Sequence, residues 1–136
     1  IRDRFLIILF KYFELTNDNA TYLFILLSGS IIGHCFPIWL KFKGGKGIAT
    51  MLGGLIGINF SIGFLFCLIW VIIAFITRRS SLSSLLSISF LPITSFIFYG
   101  NMEFLLSCFL LGIVCFRHKE NIFRLVKGKE PKIFEN

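Results

Sequence analysis

Residues 47–77 read GIATMLGGLIGINFSIGFLFCLIWVIIAFIT, a run without a single formal charge. A helix needs about 20 residues to cross a bilayer core about 30 Å thick, so this run is too long for one straight span. Gly53, Gly54, Gly57, Asn59, Ser61 and Gly63 interrupt it. The break is expected near Asn59, giving a short helix over 47–58 and a longer one over 61–77. At about 1.5 Å per residue the short helix reaches about half-way through the core. Such a half-helix is tolerated where protein covers it, and its end then lines a site.

Charge tests the split. The basic residues fall in clusters at 2–4, 41–46, 78–79 and 117–132, with long apolar runs between them. With a break near Asn59, all four clusters and both chain ends lie on one side of the membrane. The turns at 17–19, Asn59 and 100–103, which hold no Lys or Arg, lie on the other. One span over 47–77 would set Arg78 and Arg79 against the other basic loops. The positive-inside bias therefore favours six segments, at 5–15, 20–40, 47–58, 61–77, 82–99 with a kink at Pro92, and 104–116, with the basic side cytoplasmic.

Composition agrees. Of 136 residues, 56% are hydrophobic and 15% charged, which excludes a disordered chain. So small a soluble globule has too little interior for that much apolar surface. The net charge of +7 does not point to nucleic acid, because the cations punctuate apolar runs instead of lining one face with aromatics between them. The fold class is an all-α integral membrane protein of about six transmembrane or half-membrane helices, forming one domain over 1–136, with the lipid bilayer as a partner. The four cysteines form no C-x-x-C pair and read as reduced residues in apolar surroundings. Ile1 stands where Met would, and no small-residue cleavage site follows the first apolar run. A missing N-terminal piece is expected, not a signal peptide.

Three clusters carry candidate chemistry. The first is His34-Cys35-Phe36-Pro37, followed by Phe42-Lys43-Gly44-Gly45-Lys46-Gly47. Three glycines let the backbone turn tightly and approach a ligand. A helix begins at once, and its positive end favours an anion. With Lys43 and Lys46 these parts suit a phosphate, although they lack the Walker A pattern. The bland alternative is a basic loop that only sets topology, and His34 reads as structural support for it. The second cluster is Arg117-His118-Lys119-Glu120-Asn121. If the helix continues, His118 and Asn121 lie at i and i+3 on one face. An imidazole there can exchange a proton near pH 7 and an amide can orient a substrate. Glu120 and Arg124 stand at i and i+4, so Glu120 is expected to be structural. The third is Ser81 with Ser84, which read first as helix caps and second as phosphate ligands. Trp39 and Trp70 sit where interfacial anchors stand. No metal site or Ser-His-Asp set is apparent.

The runs 33–37 and 42–50 resemble the second signature of the bacterial acyl-phosphate:glycerol-3-phosphate acyltransferases, the PlsY family. The run 117–125, continuing to Lys132, resembles the third, and Ser81 to Ser84 sit where the family has a short serine motif. The resemblance runs from about Tyr22 to Lys132. It implies transfer of a fatty acyl group from acyl phosphate to the 1-position of glycerol 3-phosphate, giving lysophosphatidate for phospholipid synthesis. It further implies a multi-pass protein of the bacterial inner membrane, with no metal and no cofactor. By matching position, Lys46, Lys43 and Gly44, Gly45 and Gly47 would bind phosphate. Ser81 and Ser84 would hold a substrate, and His118 and Asn121 would line the reacting centre. The family's first signature, a Gly-Ser-Gly-Asn type loop with a following Arg, has no match here, so the chain is expected to be a C-terminal portion. Outside that resemblance, the competing readings are a non-catalytic membrane subunit or fragment, and a small transporter with a half-helix site at Gly47.

Overall fold

A computed structural model describes residues 19–41 and 44–133; the first expected segment, at 5–15, lies outside the described residues. Those residues form seven α-helices and no strand. They are α1 (Asn19–Cys35), α2 (Ile48–Ile58), α3 (Phe60–Thr77), α4 (Ser80–Ser89), α5 (Leu91–Phe98), α6 (Asn101–Arg117) and α7 (Lys119–Val126), with a 3-10 turn at Ile38–Leu40.

The split of 47–77 falls where the sequence places it. Asn59 is extended, and its side-chain oxygen accepts hydrogen bonds from the backbone N–H groups of Ser61 (2.9 Å) and Ile62 (3.3 Å), which caps α3. Three other segments differ from expectation. The last, expected over 104–116, begins three residues early at Asn101 and takes in most of the expected turn. The run 20–40 is not one helix: α1 stops at Cys35, because Pro37 disfavours a helical residue before it and offers no N–H to continue the ladder. The run 82–99 starts two residues early and divides at Phe90 into α4 and α5, with Pro92 in the first turn of α5 where its missing N–H costs nothing. Together α4 and α5 still make one apolar span, as does α3. Helix α6, with 17 residues, is at the short end of what crosses a bilayer core, and a 68° bend separates it from α7.

The helices pack in a closed ring: α1 against α2, α2 against α3, α3 against α4, α5 against α6, and α6 back against α1. Phe24, Leu27 and Ile31 of α1 meet Met51 and Leu55 of α2, Ile88 of α4, and Leu110 and Val114 of α6 in a fully buried core. Helix α3 is apolar all round but buries only Ile62, Gly63 and Phe66, leaving Phe64, Val71, Phe75 and Ile76 outward as lipid-facing surface. Within the bundle the Ser107 hydroxyl donates to Ser95 Oγ at 2.7 Å, a polar contact between α5 and α6 of the kind that holds helices together in lipid.

The ring has two distinct ends. At the far end Asn59 Nδ2 donates to the Tyr99 hydroxyl (3.1 Å) and the Thr21 hydroxyl donates to buried Glu103. The loop end gathers the described part of the glycine loop, the α3–α4 junction and residues 118–133.

Candidate active site

Three segments meet at the loop end. The first is the glycine loop, which folds back over the end of α1. The Gly45 N–H donates to the His34 carbonyl oxygen at 3.3 Å. The approach is so close that a Cβ at Gly44 would overlap the backbone carbonyls of His34 and Cys35, and one at Gly45 would strike the His34 imidazole. Neither position has a positive φ. Gly47 does, at 79°, and opens α2. The loop therefore needs two of its glycines for space and one for backbone conformation. Lys46 is exposed beside them, while Lys43 lies outside the described residues. His34 thus touches the loop twice, through its carbonyl oxygen and through its imidazole beside Gly45.

The second segment is the end of α6. Arg117 reaches across to the loop: its Nη2 donates to the Gly44 carbonyl at 2.5 Å and its Nε to the Gly45 carbonyl at 3.1 Å. Its guanidinium carbon lies 5.3 Å from the centroid of the Phe36 ring, a cation–π contact. The next residue, His118, ends α6 and starts α7 with φ −98° and ψ 9°. The helix expected to continue over 117–121 therefore bends at His118, and Asn121 belongs to α7. Both are nonetheless buried, at 1% and 5% exposed.

His118 Nδ1 lies 2.8 Å from the Val114 carbonyl oxygen. A carbonyl only accepts, so Nδ1 carries the proton and the neutral ring leaves Nε2 as a free base. Burial pushes the imidazole below its usual pKa; the Val114 hydrogen bond opposes that shift, the Lys46 charge adds to it, and Glu130 opposes it. The ring is therefore neutral at pH 7.

The third segment is the tail after α7, and its centre is Glu130. The buried carboxylate accepts from Ser81 Oγ (2.5 Å) and Asn121 Nδ2 (2.6 Å) on one oxygen and from Arg124 Nε (2.7 Å) on the other. Burial alone would raise its pKa. The hydrogen bonds from Ser81, Asn121 and Arg124, with the Arg124 charge, outweigh burial and hold it at about 2. Three residues on, the Ile133 N–H donates to the Arg78 carbonyl (2.5 Å), which ties the tail to the α3–α4 junction.

Two expectations change here. Arg124 pairs with Glu130 and not with Glu120, because the buried carboxylate already holds two neutral donors and lacks a cation; Glu120 is exposed. Ser81 and Ser84 cap nothing, since α4 has Arg79 at its N-cap and no side-chain cap. Ser81 is spent on Glu130. Ser84 donates to the Ser80 carbonyl and accepts from the Trp70 indole N–H at 3.0 Å.

Between these segments lies an open cleft of about 340 Å³, lined by Gly44, Gly45, Lys46, Phe116, Arg117, Lys119, Glu120, Asn121 and Arg124. Its lining carries four cations against one carboxylate. Ser81, Ser84 and His118 do not line it, and His118 is buried behind the segment of the wall that carries Asn121. The four cations suit a phosphorylated, anionic substrate.

Residues 5–128 match the family described as glycerol-3-phosphate acyltransferase. The chain belongs to that family. It is 46% identical to the glycerol-3-phosphate acyltransferase of Nitrobacter winogradskyi over 106 residues, covering 77% of this chain and 54% of that relative. Its fold matches a crystal structure of PlsY (YgiH), an integral membrane glycerol 3-phosphate acyltransferase, in the glycerol 3-phosphate form. The TM-score is 0.75 at 30% identity, covering 80% of this chain and 56% of that one. The lysophosphatidic acid form of PlsY matches with a TM-score of 0.74 at 29% identity, covering 80% and 58%. The chain thus spans little more than half the length of the relatives it matches. It is a multi-pass membrane protein of this family.

Sequence reasoning gave Arg117 and Glu130 no role. Both lay inside the runs that carried the family resemblance. The available signal for Glu130 was a lone carboxylate between Lys129 and Lys132 in a strongly basic tail.

Proposed function

We propose that this chain carries out acyl transfer from an acyl phosphate to the 1-hydroxyl of glycerol 3-phosphate, releasing phosphate and lysophosphatidate. The observation that carries this reading is the Arg117 bridge, which brings the glycine loop with Lys46 to the segment that holds His118 and Asn121. Acyl phosphate is already activated, so the main task is to hold two anions together in one orientation. Lys46, the loop and the cations of the cleft offset their repulsion. The glycerol hydroxyl oxygen then forms a bond to the acyl carbon, the bond from that carbon to the phosphate oxygen breaks, and phosphate leaves. The hydroxyl proton goes to His118 Nε2 or to a substrate phosphate oxygen. Asn121, held by Glu130, orients the substrate; Ser81 acts on it only through that carboxylate. The acyl chain lies against the apolar helices, and a cleft of about 620 Å³ at the same end, lined by Trp70, Val71, Ala74, Phe75, Arg78 and Ile133, offers such a surface.

The loop end faces the cytoplasm in this reading, supported by its gathering of the basic clusters. A reporter fused after residue 136 tests that side. The reaction is tested with labelled glycerol 3-phosphate and a long-chain acyl phosphate, using the chain in liposomes beside His118→Ala. Lysophosphatidate that appears with the chain and not with the variant supports the reading. Product formed equally by both removes His118 from it. No product from either, with glycerol 3-phosphate still bound, favours a non-catalytic portion of a family member.

A further inference from the structure

Helix α7 departs from the axis of α6 by 68° just where the last span ends. A helix turned that far from a spanning neighbour runs close to the membrane plane, at headgroup depth. Its two faces differ. Asn121 and Arg124 turn inward to Glu130. On the opposite face Phe123 and Val126 are 60% and 83% exposed, although both are apolar. The lysines on that face flank them. Lys127 Nζ sits 4.0 Å from the centroid of the Phe123 ring, and Lys119 Nζ 5.3 Å from that of Phe116. Glu120 stands at the edge of this face, toward the cleft, and Lys119, whose ammonium lies over the Phe116 ring, borders both the cleft and this face. Apolar side chains flanked by lysines along a helix lying across a span end are the pattern of an interfacial helix. The rings sink to the acyl boundary while the ammonium groups meet anionic headgroups.

We infer that α7 is seated in the membrane surface, with Phe123 and Val126 in the acyl boundary and Lys119 and Lys127 on anionic phospholipid. The far side of the same helix carries Asn121 and Arg124, so the lipid surface sets the height of the cleft wall. The inference rests on the membrane fold and not on the reaction.

The test uses the full chain in phosphatidylcholine vesicles containing acyl-brominated lipid, with tryptophan placed by Phe123→Trp or, separately, Val126→Trp. Wild-type emission supplies the baseline from Trp39 and Trp70. Both added indoles are expected to emit blue-shifted light and to be quenched beyond that baseline. With brominated phosphatidylglycerol as the minor lipid, quenching is expected to exceed that by brominated phosphatidylcholine at the same fraction. Each lysine near the surface contributes up to about fivefold in local enrichment. The preference is expected to vanish in the Lys119→Gln/Lys127→Gln background and to fade at high salt. Solvent-like, unquenched emission from both positions would overturn the seating of α7. Equal quenching by the two lipids would overturn the anionic preference.

Discussion

At the far end of the bundle Thr21 donates to Glu103 and Asn59 to Tyr99, each pair closing two elements with one side-chain hydrogen bond. At the loop end Glu130 gathers Ser81, Asn121 and Arg124, and Arg117 holds two carbonyls of a loop that packs on a third element. The far end is fastened pair by pair, so each fastening can be lost alone. The loop end is a network in which one side chain positions several others, and networks of that kind lose more than the sum of their pairs when a shared member goes. Polar groups at the far end hold helices together, whereas those at the loop end shape a cleft.

The sharpest way to break this contrast is His118→Ala. Losing a positioned base lowers turnover by about a hundredfold or more, measured as lysophosphatidate formed under saturating substrates. The same assay on Glu103→Gln, at the far end, is expected to give near wild-type turnover. Second is Glu130→Ala, which leaves the buried Ser81 and Asn121 without their acceptor while Arg124, 39% exposed, turns to water; it costs about 2 kcal/mol in detergent unfolding. Glu103→Gln costs about 1 kcal/mol, the scale of a single hydrogen bond. The pH dependence sharpens this contrast. With its folded pKa held at about 2 against an ordinary 4.5, Glu130 contributes its full stabilisation above about pH 4.5 and loses it as the pH falls toward 2. Glu130→Gln should flatten that part of the stability profile.

Third, Gly44→Ala should damage substrate binding more than Gly45→Ala. A Cβ at 44 meets backbone carbonyls that cannot move away, whereas one at 45 meets only the end of the exposed His34 side chain. Part of the Gly45→Ala loss should return in Gly45→Ala/His34→Ala, read as KM for glycerol 3-phosphate. Fourth and smallest, Arg117→Lys keeps the charge but loses the two-pronged donor, and KM should rise about fivefold with kcat little changed. An equal fall in kcat would mean that Arg117 acts in the transition state and not on the loop.

Much of this architecture was legible in the sequence because lipid imposes simple rules. Charge-free runs of the right length marked the spans, and the side on which arginine and lysine fell placed the break at Asn59, where the amide then proved to cap α3. The glycine loop was legible as a tight, closely packed turn, because few other arrangements need glycine at 44, 45 and 47. The reason assigned there was only partly right, since close packing on α1 and not backbone conformation fixes Gly44 and Gly45. Closure of the site was not legible. Ser81 and Glu130 are separated by 49 positions, and Arg117 and Gly44 by 73. No local periodicity encodes such pairings. The helix break at His118 was hidden too, because residues 117–126 keep a helical pattern on both sides of it.

The tail has a consequence for how the protein is made. Glu130 follows every helix of the described chain and supplies the acceptor that Ser81, Asn121 and Arg124 all need. A nascent chain whose helices are already inserted therefore holds an unfinished cleft until residue 130 has left the ribosome. Insertion and maturation of the site become separate events in biosynthesis, and a chain stopped just short of Glu130 should reach the membrane without acquiring a competent site.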